Sequence, residues 1–143
     1  MSVVDDVQEY LDYEGITDPT TWPSVRRRVH DGSDQLVVLT EDGGALPEIP
    51  ATTGIGSAAL GTPAVQVRVR GKPWDGDSAR AKAEEVILHL HGRQSAWIGE
   101  TLYRSIQAQT IEPVFMGFDD KGRPEFTVSL LMTRGVPAPT ATE

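Results

Sequence analysis

One seven-residue run, Ala64-Val65-Gln66-Val67-Arg68-Val69-Arg70, constrains the fold more than any other. Val65, Val67 and Val69 alternate with Gln66, Arg68 and Arg70. At the two-residue period of a β-strand this buries one face and leaves the other polar. Arg68 and Arg70 then stand side by side on the open face, either solvated or set against a partner's carboxylates. A one-sided strand needs a cover, and the chain supplies one directly. Gly71 to Gly76 form a turn, and Asp77 or Ser78 caps a helix. Ala79, Ala83, Val86, Ile87 and Leu90 follow at the spacing of one helical face, and Gly92 closes the helix after His91. Burying Val86, Ile87 and Leu90 on the sheet contributes roughly 1.5–3 kcal/mol each before entropy. A charge at Ile87 is therefore expected to unfold the domain.

Downstream the period of two dominates. Residues 95–98 and 101–110 read as strands joined by a tight turn around Gly99. Residues 114–118 lead into Asp119-Asp120-Lys121-Gly122-Arg123-Pro124, a dense turn signal. In residues 125–132, Phe126, Val128, Leu130 and Met132 alternate with Thr127, Ser129 and Leu131. Upstream, Leu36-Val37-Val38-Leu39-Thr40 is a short apolar run of the kind that fills a buried strand. Val3, Val7, Tyr10 and Leu11 share one face of an N-terminal amphipathic helix, with Ser2 as N-cap and Gly15 as its stop. The expected fold is α+β: a mainly antiparallel sheet with one helix packed across it and an N-terminal amphipathic helix.

The length of 143 residues suits a single domain, here residues 1–134. Three segments lack a clear period. Residues 16–34 are turn-rich around Pro19, Pro23 and Gly32, and hold Trp22. Residues 41–63 contain Gly43, Gly44, Pro47, Pro50, Gly54, Gly56, Gly61 and Pro63. A patternless loop of this length is uncommon in a compact domain and is usually functional. In an enzyme it would be a lid; in an assembly protein, an arm ordering against a neighbour. Residues 135–143 form a Pro/Thr-rich tail with no means of building a core alone.

Charge and composition exclude several classes of function. With 13 Lys and Arg against 21 Asp and Glu, the formal charge is −8. That balance opposes tight nucleic-acid binding, though it allows a protein that surrounds DNA without gripping it. Asp5, Asp6, Glu9, Asp12 and Glu14 make the first helix acidic. They form either a solvated face or a surface for Arg26-Arg27-Arg28 of a neighbouring subunit. Without cysteine there is no disulfide and no thiolate ligand. No apolar run approaches the ~20 residues of a membrane span, and the acidic N-terminus is unlike a signal peptide.

Nor does a catalytic constellation emerge. His89 and His91 would project about 200° apart on a helix and cannot share a metal there. Gly54-Ile55-Gly56 lacks a dinucleotide-binding context, and no Walker or nucleophile-elbow motif is present. Asp119 and Asp120 read as turn formers, and Asp75-Gly76-Asp77 lacks the rest of a calcium loop. No catalytic residue, cofactor or metal is expected.

The order of elements is nonetheless familiar. The run Pro63 to Arg70, the helix Ala79-Arg80-Ala81-Lys82-Ala83-Glu84-Glu85 and its ending Leu88-His89-Leu90-His91-Gly92 resemble the minor capsid protein family of tailed phages. That family overlaps with tail terminators and head–tail completion proteins. The helix ending near Tyr13-Glu14-Gly15, the Gly43-Gly44 loop, and Phe118-Asp119-Asp120-Lys121-Gly122-Arg123-Pro124-Glu125-Phe126 into the last strand add to the likeness, which spans about residues 3–133. The resemblance implies a non-catalytic virion protein at the head–tail junction, assembled in the host cytoplasm. It implies a homo-oligomer, a hexameric ring, that caps the tail-tube protein and joins it to the head connector while DNA passes through the lumen. Candidate inter-subunit contacts are Arg26, Arg27, Arg28, Gly43, Gly44, Pro47, Ile49, Ile55, Leu60, Arg68, Arg70, Val136 and Pro137. The alternatives are a head-completion or stopper protein, a tube or decoration protein, and a small enzyme or ligand-binding domain. The last would use residues 41–63 as a lid and Arg68, Arg70 and Arg104 as converging cations.

Overall fold

A computed structural model describes residues 3–29, 32–42, 62–98 and 101–134. Its elements run α1 (Val3–Tyr13), β1 (Ser24–Arg26), β2 (Leu36–Glu41), β3 (Ala64–Arg70), α2 (Gly76–Leu90), β4 (Gln94–Ile98), β5 (Thr101–Ala108), β6 (Val114–Phe118) and β7 (Pro124–Arg134). The seven strands form one sheet in the order β1-β2-β3-β7-β5-β4, with β6 also paired to β7. Only β1 and β2 pair in parallel; the other pairs are antiparallel. The class is α+β, as the sequence predicts.

β7 is the spine. Along one side it pairs with β3, from Arg70↔Glu125 to Ala64↔Leu131. Along the other, β6 takes its first residues and β5 its last, so two strands share one flank end to end. β1 lies within the turn-rich 16–34 segment, where the sequence shows no strand period. Three residues are too few to show a period, and the strand forms because β2 offers it a template, Val25 opposite Val38.

The alternation in β3 works as expected. Val67 and Val69 lie opposite Leu39 and Val37 on one side, and opposite Val128 and Phe126 on the other. With Val65, Leu130, Met132 and Ile106 they form a core that both helices cover. In α2 the N-cap is Asp75, whose side chain accepts from the Ser78 N–H at 3.2 Å, two or three residues earlier than the expected Asp77 or Ser78. Ala79, Ala83, Val86 and Leu90 are buried, but Ile87 sits on the flank and is only half-buried. The expectation that a charge at Ile87 unfolds the domain therefore transfers to Val86, because a side chain at position 87 can turn to solvent.

In α1, Val3, Val4, Val7 and Leu11 are buried. Gly15, at φ +75°, reverses the chain so that Ile16 and Thr17 N–H both return to the Leu11 carbonyl. The expected N-cap Ser2 lies outside the described residues, as does the turn at Gly99. Asp6 departs from the acidic face assigned to it. It is fully buried, and the Tyr103 hydroxyl donates to its Oδ2 at 2.5 Å.

Arg70 departs too. It is 1% exposed, not on an open face: Nε donates to the Asp34 carbonyl at 3.0 Å and Nη2 to the Ser33 carbonyl. The segment before β2 folds over this end of the sheet and offers its carbonyls to the guanidinium, which satisfies a buried charge that would otherwise be costly. Arg68, two positions back, is half-buried between Val38 and Thr127 on the face away from the helices.

Candidate functional site

Of the three arginines ending and following β1, two are engaged within the chain. Arg26 Nη1 pairs with Asp5 Oδ1 of α1. Arg27, at φ +64°, holds Glu41 through both Nε (2.7 Å to Oε1) and Nη2. That side-chain hydrogen bond keeps the Glu41 carboxyl below its usual range. Arg28 is exposed. The acidic helix and the basic triplet, for which the sequence leaves open a solvated face or a contact between subunits, meet in part inside one chain through Arg26 and Asp5. Gly43, Gly44, Pro47, Ile49, Ile55, Leu60, Val136 and Pro137 lie outside the described residues.

The outer face of α2 borders a groove of about 780 Å³, lined by Trp22, Lys82, Ile87, Leu88 and Ile111 among others. Its lysine has a structural task. Lys82 Nζ donates to the Ile16 carbonyl at 2.9 Å and to Glu85 Oε1 at 2.6 Å, and stands 5.4 Å from the Trp22 ring centre. Arg68, Arg70 and Arg104, the cations on which an enzyme reading depends, do not line this groove. The carboxyls with shifted acidity also have ordinary causes. Asp18 is held down by the backbone N–H groups of Thr21 and Thr20. Burial pushes Asp119 up, but the Arg123 N–H and guanidinium and the Lys121 N–H outweigh it and hold the carboxyl low. His91 Nδ1 accepts from the Ala108 N–H at 2.9 Å. Among the described residues no three His, Cys, Asp or Glu are grouped to hold a metal ion.

The most unusual surface lies elsewhere, at the margin of the sheet. β6 is apolar along its length, yet Val114, Phe115, Met116 and Phe118 are each 45–56% exposed. Among the described residues its outer edge pairs with no strand. Phe115 packs at a tilt against Phe126 (5.2 Å between ring centres) and edge-on against Phe118 (5.4 Å), and Phe118 lies tilted against Trp74 (5.0 Å). Trp74 is 75% exposed and holds φ +60°, a left-handed conformation that costs a bulky residue about 1–3 kcal/mol. Its N–H donates to the Gly122 carbonyl at 2.8 Å. Its indole lies so close on Gly122 that a Cβ there would stand 2.7 Å from Trp74 Cε2. A strained backbone thus presents a large aromatic side chain to solvent. The sequence reading missed this surface, since β6 has no alternation and Trp74 sits in a turn.

Gly122→Ala is accordingly expected to destabilise twice over. The residue at φ +76° costs about 1–2 kcal/mol as a left-handed non-glycine, and the new methyl group displaces the indole. In thermal melts, Trp74→Ala in the same chain should recover the second part and leave the first. No recovery would mean that the two residues do not touch as described.

These features define a class: an α+β domain with two helices on one sheet face and an exposed apolar margin. The family described as bacteriophage tail terminator protein matches residues 27–134, and the chain belongs to that family. The match takes in β2 to β7 and α2 but leaves out α1, which the resemblance read from the sequence had included. The fold is also similar to that of a chain in the virion of a native gene transfer agent particle. The TM-score is 0.61 at 11% identity, over 94% of this chain and 100% of that one. No curated protein sequence matches it.

Proposed function

We propose that the chain is a ring-forming tail terminator, a structural protein of the virion that caps the tail tube and joins it to the head connector. The observation that carries this reading is the family match across residues 27–134, which covers most of the sheet and the helix packed on it. In this reading residues 1–134 are one domain. The loop 41–63 and the tail 135–143 serve as arms between neighbours, because a closed ring needs head-to-tail contacts between two different surfaces. A hexamer around a DNA conduit suits a chain of net charge −8, which repels a sliding phosphate backbone rather than gripping it. Assembly takes place in the cytoplasm of the bacterial host, with tail-tube and connector proteins as partners and no membrane involved.

Light scattering of the purified protein, with and without tail-tube subunits, tests the reading. A discrete ring, alone or on tube ends, is expected. A monomer indifferent to tubes would refute it, and rings that stack without limit would point to a tube protein instead.

A further inference from the structure

The chain carries both an exposed aromatic ladder and a proline-rich segment. Trp74, Phe118 and Phe115 follow one another at ring spacings of 5.0 and 5.4 Å. Val136-Pro137-Ala138-Pro139 follows β7 in sequence. Prolines at alternate positions bias such a segment to the polyproline II conformation, and aromatic-lined surfaces bind that conformation because little entropy is lost on docking. We propose that residues 136–139 of one copy dock across the Trp74–Phe118–Phe115 ladder of the next copy in the ring. The proposal rests on the ring reading above and names a contact within it.

Reach decides between the chain's own ladder and a neighbour's. The ladder lies beside the start of β7, where Phe115 packs on Phe126 and Trp74 on Gly122. The tail departs from the far end of that strand, at Arg134. From Phe126 to Arg134 the strand runs about 26 Å, at ~3.3 Å per residue. Val136 to Pro139 lie two to five residues beyond Arg134, a span of at most about 7–18 Å even when fully extended. They cannot return to their own ladder, so the partner must be a second copy. Exposed Lys72, two residues before Trp74, gives a position beside the ladder that can be substituted without touching its rings. The strain at Trp74 also gains a purpose, since it holds the indole outward before any partner arrives.

The absence of cysteine makes a clean test. Lys72→Cys protein is mixed with Val136→Cys protein under mild oxidation, with and without tail-tube subunits so that rings are present in either case, and Tyr13→Cys, on an 84%-exposed residue of α1, replaces Lys72→Cys as the control. A docked pair has an effective concentration near millimolar against a micromolar bulk, so disulfide-linked dimer should exceed the control by about tenfold or more. A chain carrying both Lys72→Cys and Val136→Cys should give a ladder of linked multimers, and adding Trp74→Ala and Phe118→Ala should return the yield to control. Dimer at the control level, or an internally linked monomer, would overturn the proposal. If unmodified protein still forms rings by light scattering in that case, only the docking fails; if it stays monomeric with tube subunits, the ring reading falls with it.

Discussion

Val86→Asp is expected to leave the domain unfolded. Val86 is fully buried at the middle of α2, between Ala83 and Leu90, in the core that the helix makes with the sheet. Losing its apolar contact costs about 1.5–3 kcal/mol. A carboxylate with no partner at that depth costs several more, or must protonate to stay. The sum approaches the whole stability of an ordinary domain, roughly 5–15 kcal/mol. Circular dichroism and urea titration would read the result directly. The informative comparison is with the next two positions. Leu88 is 79% exposed, so Leu88→Asp should change stability by less than about 0.5 kcal/mol, with half-buried Ile87→Asp in between. If Ile87→Asp proved as damaging as Val86→Asp, the rotation of α2 about its axis would have to differ from the one described.

The second large effect belongs to Tyr103→Phe. Tyr103 and Asp6 are both fully buried, and their 2.5 Å hydrogen bond ties α1 to β5 across the core. Asp6 Oδ1 has no hydrogen-bond partner among the described residues. Removing the hydroxyl would therefore strip Oδ2 of this donor as well, at a cost of about 1–3 kcal/mol for a buried polar atom left unsatisfied. The midpoint of thermal unfolding should fall by several degrees. Replacing both partners, as Asp6→Val with Tyr103→Phe, should be more stable than Tyr103→Phe alone, since the pair then leaves no carboxylate oxygen buried without a donor. A Tyr103→Phe protein that melts with the parent would show that this bond contributes nothing net.

These two cases mark how far the sequence could be read. The faces of β3, β7 and α2 were legible because each repeats a single period over two or more turns or pleats, and burial follows period. Val67, Val128 and Ala83 all lie where that rule puts them. Arg70 obeys the same period in register yet is buried, because the carbonyls of Ser33 and Asp34 reach it from a segment with no period of its own. Asp6 is similar: what it meets, Tyr103, lies far along the chain, and no local pattern announces the pairing. For the assembly surface the limit is conformational. Pro73-Trp74 reads as part of a turn, and nothing in the residue names reveals a tryptophan held at positive φ over a glycine. Arg26-Arg27-Arg28 stand out in the sequence as a basic cluster, but a cluster alone does not say whether its acids come from the same chain, as those of Arg26 and Arg27 do.

The central place of β7 sets a timetable for synthesis. It follows every other described element in sequence, yet it joins β3 to β5 in the finished sheet, with pairs as distant along the chain as Val65 and Leu130. A nascent chain that has not yet released β7 from the ribosome holds two unfinished halves, each with a bare strand edge. Such non-local pairing folds slowly, and bare edges invite pairing with the wrong chain. The domain therefore closes only after most of its length has been made, and its copies can recognise one another only after that.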